Sequence, residues 1–210
     1  EELVRGGDAD PVDARHRPAR SAASTVPDVL YEPLMARLYA TPETVVVAST
    51  AATIGRDVDL DLLTQSTELS RDEVEHAVRT LHDGHILERV AGVPNTVRFR
   101  HALMREVGYD LIAPSRRREV HARVADALIE SVEQDERSDW TIIASHLERA
   151  DRPMDAARAW REAADDARRM GLLSEARLRL NAAIDQVGRM RAGRERHQLE
   201  VELRLERGFL

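Results

Sequence analysis

The sequence predicts a mainly α-helical chain interrupted by one small two-stranded β-hairpin, and three observations carry that prediction. Apolar residues recur at three- and four-residue spacing through most of the 210 residues. Between Ser70 and Tyr109 a capped helical stretch gives way to two short alternating runs around a Gly/Pro/Asn turn, then to helical spacing again. Beyond Trp140 one helical stretch follows another, with small residues where antiparallel helices would meet. The implied organisation is a linker over 1–26, a winged-helix domain over 27–112, connecting helices over 113–150 and a tetratricopeptide-like repeat over 151–210.

Residues 1–26 contain Gly6, Gly7, Pro11, Pro18 and scattered charges without periodicity, as a linker or tail would. Pro27 and Asp28 open a helix with Leu30, Leu34, Leu38 and Met35 on one face; Pro33 sits in its first turn or kinks it. Thr41 and Pro42 are the cap and first-turn proline of the next helix. That helix, from Glu43 to Thr53, is apolar on nearly every side and should be the buried centre of the first domain. Gly55 ends it.

Asp57, Asp59, Asp61 and Glu68 fall at positions 1, 3, 5 and 12 of a calcium loop, but Leu62 replaces the glycine its turn requires. The favoured reading is a cap at Asp59 or Asp61 and a helix from Leu60 to Thr67. Ser70 and Glu73 form an S-x-x-E capping box, so a helix begins at Arg71 with Val74, Ala77, Val78 and Leu81 inward and Gly84 as terminator. Ile86 to Val90 and Thr96 to Arg100 alternate as strands around Gly92, Pro94 and Asn95. Helix, helix, capped helix and hairpin is the winged-helix order. After it, Leu103, Val107 and Leu111 mark a helix that Pro114 stops. Ser115 then caps a longer helix carrying Val120, Val124, Ala127 and Leu128 inward.

With Trp160 at position 4 of a tetratricopeptide repeat, Ala164, Ala176, Leu180 and Ala183 fall at positions 8, 20, 24 and 27, where the motif wants small, small, large and small residues. Gly171 makes the turn. Ala167 stands where an aromatic is usual and Gly188 where proline is usual. The flanking helices are Trp140 to Ala150 and Arg194 to Leu210, the latter with Leu199, Leu203 and Val201. A single repeat cannot cover its own faces, so the array is expected to continue past Leu210.

Composition excludes several kinds of chemistry. There is no cysteine, hence no disulfide or thiol nucleophile, and every one of the 31 basic residues is arginine. Without lysine a phosphate-binding G-x-x-x-x-G-K-[ST] loop cannot exist, nor can Schiff-base catalysis. The net charge of −7 and only seven aromatics (2 Trp, 3 Tyr, 2 Phe) favour neither a nucleic acid nor an anionic membrane surface. No apolar run approaches ~18 residues and the start lacks a signal pattern, so a cytoplasmic protein is expected.

The segments VPDVLYEPLMARL, AATIGRDVDLDLL, LHDGHILERV and FRHALMREVGYDLI, followed by RRREVHARVADAL, resemble the region after the nucleotide-binding core of STAND-class signalling ATPases. The likeness spans about 27–187 and is nearest to the actinobacterial branch that couples such an ATPase to adenylate-cyclase or LuxR-type regulators. EELVRG resembles the end of that family's ATPase domain. The resemblance implies a regulatory segment that performs no chemistry itself, with an ATPase domain upstream in the same chain holding ADP or ATP. It also implies a protein partner or effector on the helical repeats. It further implies that His101, in Phe99-Arg100-His101-Ala102-Leu103, senses nucleotide phosphate, with Arg100 beside it; the aspartate that follows in the best-known members is missing here. Read from the residues alone, His101 equally serves as a cap or a packing group.

The other candidates have plainer readings. A DNA-binding regulator is the main alternative, yet on the Ser70–His85 helix Asp72, Glu73, Glu75 and Asp83 outnumber Arg71 and Arg79, which repels phosphates. Arg116, Arg117 and Arg118 form the one basic concentration, able to meet a phosphate or an acidic partner, or to be a solvated helix start beside acidic neighbours. His76, His82 and His85 lack metal-ligand spacing, so no metal is expected. No nucleophile motif or paired catalytic carboxylates emerge.

Overall fold

In the computed structural model, which describes residues 35–134 and 139–210, the chain is mainly helical with a small three-stranded antiparallel sheet. The expected tail over 1–26, the helix start at Pro27 with Leu30 and Leu34, and residues 135–138 lie outside the described residues. Among the described residues no helix is long and apolar enough to cross a membrane.

Residues 35–38 form a helical turn that leads into α1 (Pro42–Ile54). Thr41 and Thr44 cap each other reciprocally: the Thr41 hydroxyl accepts from Thr44 N at 3.2 Å, and Thr44 Oγ1 accepts from Thr41 N at 3.1 Å. Val47, Ala48, Ala51 and Ala52 are buried, and so are Thr44, Ser49, Thr50 and Thr53. Three of those hydroxyls donate to carbonyls of Leu38, Val46 and Ser49, which satisfies them without water.

β1 (Asp57–Asp59) corrects the expectation of a two-stranded hairpin. It pairs antiparallel with β3 (Thr96–Phe99), which also pairs with β2 (Leu87–Arg89), giving the order β1-β3-β2. Three residues are too few for alternation to register in a sequence, and the pairing reaches across the chain, Asp57 opposite Arg98 and Val58 opposite Val97. One face buries Val58, Leu87, Val97 and Phe99. On the other, Arg98 lies opposite both Asp57 and Glu88 and holds Asp57 at 2.8 Å. Asp59 then caps α2 (Leu60–Gln65) by accepting from Asp61 N and Leu62 N. The aspartates of the calcium-like spacing are thus used as a strand partner, a cap and, at Asp61, an acceptor for Arg71 and Asn95.

α3 (Arg71–Asp83) forms behind the Ser70/Glu73 capping box with Val74, Ala77, Val78 and Leu81 buried, as expected. Its end differs. Gly84 stays right-handed and His85 takes the left-handed conformation at φ 60°. The amides of Ile86 and His85 then close onto Leu81 O and His82 O, the paired bonds of a Schellman end. Asp151 (φ 59°) and Gly171 (φ 75°) end two later helices in the same way, through Arg152 N to Leu147 O and Leu172 N to Ala167 O.

α4 (Ala102–Asp110) buries Met104 and Gly108, while Leu103, Val107 and Leu111, the expected inward stripe, pack only at the edge of the core. Gly108 decides this rotation. A Cβ there would stand 3.1 Å from Ala48 O and 3.2 Å from Ala52 Cβ, so its absence lets α4 lie directly on α1.

α5 (Pro114–Gln134) starts on Pro114, which places Ser115 inside the first turn instead of at the cap. Its buried positions are His121, Val124, Ala125 and Ala127, with Val120 and Leu128 half-buried. α6 (Trp140–Arg149), α7 (Pro153–Arg169), α8 (Leu173–Gly188) and α9 (Arg194–Gly208) follow. Ala164, Ala167, Ala176, Leu180, Ala183 and Val187 share one core between α7, α8 and α9 with Leu199 and Leu203, whereas Val201 is exposed. A smaller cluster of Ala125, Ile143, Ala144, Leu147, Ala156 and Ala159 joins α5, α6 and α7.

The left-handed His85 suggests a simple stability test. A non-glycine residue there costs ~1–2 kcal/mol, and glycine returns ~0.5–1 kcal/mol of that as extra unfolded-state entropy. His85→Gly is therefore expected to stabilise by about 0.5–1 kcal/mol, read as a higher urea midpoint at unchanged slope.

Candidate functional site

Arg100 and His101 lie where β3 turns into α4. The Arg100 amide donates to Ile86 O at 3.0 Å and closes the end of the hairpin, while its guanidinium stands 3.6 Å from Glu88. His101 is the N-cap of α4 in extended conformation (φ −131°, ψ 135°), and its side chain makes no capping hydrogen bond. The imidazole is exposed. The helix therefore presents its first-turn amides with no side-chain cap, at the end where its dipole favours an anion.

The arginine triplet does not form one patch. Arg116 faces Glu119 on its own helix at 3.5 Å. Arg117 folds back over the end of α4, donating to Ile112 O at 3.2 Å and Asp110 at 3.1 Å with its guanidinium 4.8 Å above the Tyr109 ring. Arg118 reaches Asp151 at the end of α6, 3.3 Å away. A carboxylate lies beside each cation, which accounts for three arginines at a helix start. Arg117 and Arg118 spend their charge tying α5 to its neighbours.

What sequence reading missed lies beneath that triplet. Tyr109 of α4, His121 of α5 and His146 of α6 form a continuous chain: Tyr109 Oη to His121 Nε2 is 3.0 Å, and His121 Nδ1 to His146 Nδ1 is 2.9 Å. Both imidazoles are 2% exposed. One hydrogen occupies the space between the two Nδ1 atoms, so one ring donates and the other accepts, and the Tyr109 hydroxyl donates or accepts in step. Burial pushes both histidines down to about 4; the His146 ring and then Arg149 and Arg117 add to the effect at His121, and Arg149 does so at His146. The available signal was positional: His121 falls on the same helical face as Val124 and Leu128, and His146 stands between Ile143 and Leu147, where a titratable ring must be buried.

A second polar clasp lies next to it. Glu148 accepts from Trp160 Nε1 at 2.7 Å and Gln186 Nε2 at 2.8 Å, linking α6, α7 and α8. Between α7 and α9 an open groove of about 460 Å³ is lined by Met154, Arg158, Arg161, Glu195, Gln198 and Glu202. Among the described residues no group of three or more His, Asp or Glu is arranged to hold a metal ion; His82 faces Asp83, and His85 points outward from its turn.

No family model, curated protein or solved structure matches this chain.

Tyr109→Phe keeps the ring under Arg117 but leaves His121 Nε2 without its partner in a buried site. It is expected to cost about 1–2 kcal/mol in urea unfolding at pH 7.

Proposed function

We propose that this chain is a non-catalytic regulatory segment in which a winged helix controls the nucleotide state of a STAND-type ATPase and tetratricopeptide-like helices receive a partner or effector. The observation that carries this reading is the element order joined to its pairing. α1, β1, α2 and α3 are followed by the β2–β3 hairpin, and β1 pairs with β3, an arrangement that supports the winged-helix reading. α7 and α8 then meet through Ala164, Ala167, Ala176 and Ala183, as the two helices of a tetratricopeptide repeat do. Such a segment carries no chemistry itself. Its nucleotide, ADP or ATP, belongs to an ATPase domain elsewhere in the polypeptide, and its setting is the cytoplasm.

In this reading the uncapped start of α4 meets a phosphate, with His101 as donor and Arg100 adding charge. The switch is then a bias between two arrangements of the winged helix against the ATPase, set by contacts made in one and not the other. In the full-length polypeptide, His101→Ala is expected to speed ADP release about tenfold, the loss of one charge-assisted hydrogen bond. An unchanged release rate sinks the sensor role.

The charge arrangement supports a protein-docking winged helix over a DNA-reading one. On α3, Arg71 is engaged by Asp61 and Glu75, and Arg79 lies 3.8 Å from Glu75. Asp72 and Asp83 remain outward beside them. Cations neutralised this way release no counterions from a duplex. Gel shifts at low salt are expected to show no retardation, while binding that weakens steeply with salt would restore the transcription-factor alternative.

A further inference from the structure

We propose that the Tyr109–His121–His146 chain is a proton-sensitive latch: it holds α5 against α6 while both imidazoles are neutral, and protonation releases the joint between the sheet-bearing half of the molecule and its helical array. This goes beyond the regulatory reading above and does not depend on it.

The location suits a latch. α5 packs against α1 and α2 on one side and α6 on the other, so it is the element both halves share. Tyr109 reaches it from α4 and His146 from α6, and the polar chain therefore spans three helices belonging to two cores. Around it, Arg118 to Asp151 and Arg123 to Glu68 lie at the surface and hold the same helix to its neighbours. Exposed pairs of this kind contribute little, whereas the histidine contact is buried on both sides.

The geometry also dictates the response to acid. A single hydrogen fits between nitrogens 2.9 Å apart, and a second would set two N–H groups against each other. A first added proton places a net charge in a site with almost no access to water. The charged and titratable groups that face the pair are Tyr109 from α4, Arg117 from α5 and Arg149 from α6. α1 and α2 carry only Glu43 and Asp61, and neither acts on the rings. The nearby carboxylates are occupied, Asp110 by Arg117, Asp151 by Arg118 and Arg189, and Glu148 by Trp160 and Gln186. Among the described residues no anion compensates an imidazolium.

The sign follows from linkage. In an opened joint the rings meet water and titrate near their ordinary 6.5, whereas in the closed joint both are held at about 4. The open form thus binds more protons between those values, and the closed form loses ground as pH falls through that window. Going from about pH 7.5 to about pH 5.5 raises the open population about tenfold if one ring takes a proton and about a hundredfold if both do. Ordinary carboxylates titrate below this interval, so the interval isolates the histidines.

Amide hydrogen exchange of the whole chain at those two pH values, corrected for intrinsic rates, tests the latch. Protection of the α5 and α6 amides should fall ten- to a hundredfold, while that of α3 and α8 changes less than threefold. His121→Gln/His146→Gln, which keeps polar side chains but cannot titrate, should abolish the difference. Should that variant fail to fold, the imidazole C–H resonances of the wild-type chain decide: two histidines titrating below about pH 5 support the latch. Titration of all histidines between about 6 and 7 overturns it, as does equal loss of protection everywhere, pH-independent protection of α5, or an unchanged pH response in the double variant.

Discussion

Helix α1 has almost no wet face, and the first half of the molecule is arranged to cover it. Its Val and Ala side chains take in neighbours from several directions, and its hydroxyls turn back onto backbone carbonyls, so even Thr44, Ser49 and Thr53 present nothing that needs water. Because α1 is built from small and β-branched residues, neighbouring backbones come close. Gly108 shows the limit of that approach, since α4 lies where a single methyl group would strike the Ala48 carbonyl. Dispersion between closely spaced backbones here adds to the packing of the larger side chains around α1, Leu38, Leu63, Leu81, Ile86 and Leu87.

The second half solves the same problem with alanine on both partners. Ala157, Ala164 and Ala167 of α7 meet Ala176 and Ala183 of α8, and each contributes little apolar area, so the pair depends on length and closeness. Polar clasps then set how successive helices are joined. Glu148 gathers Trp160 and Gln186, Arg161 of α7 pairs with Glu202 and Glu206 of α9, and the histidine pair fixes α6 to α5. Buried polar contacts add specificity of arrangement more readily than net stability, because an alternative alignment would leave them unpaired. The arginine triplet, a basic run that looks like a binding patch, is the outer layer of such a joint.

Local chemistry made several features readable from residues alone. The Ser70 capping box, the Thr41–Pro42 start, the buried stripe of α3 and the alanine register of α7 and α8 each arise from groups a few residues apart, whose geometry the chain imposes by itself. Reading was weaker at element ends and for short strands. His85 holds the left-handed turn one residue after the expected terminator, Gly84; β1 was hidden because two of its three residues are aspartates engaged with other partners. The candidate site was legible as a position, the uncapped start of α4 at His101, and not as a set of partners. The carboxylates beside Arg116 and Arg117 come from nearby residues, Glu119 and Asp110, while that beside Arg118 comes from Asp151, far along the chain.

Sequence by itself determined the mainly helical character, the location of the β-ribbon, the small-residue contact of the helix pair and the exclusion of thiol, Schiff-base and P-loop chemistry, because periodicity, capping and composition act over a single turn or through the bare presence of an atom. Tertiary structure alone decided that a third strand completes the sheet, that α4 rotates onto Gly108, and that Tyr109, His121 and His146 line up across three helices. Those outcomes depend on which surfaces come together in space. Two imidazoles 25 residues apart carry no mark in a sequence that they will share one hydrogen in the dark between helices.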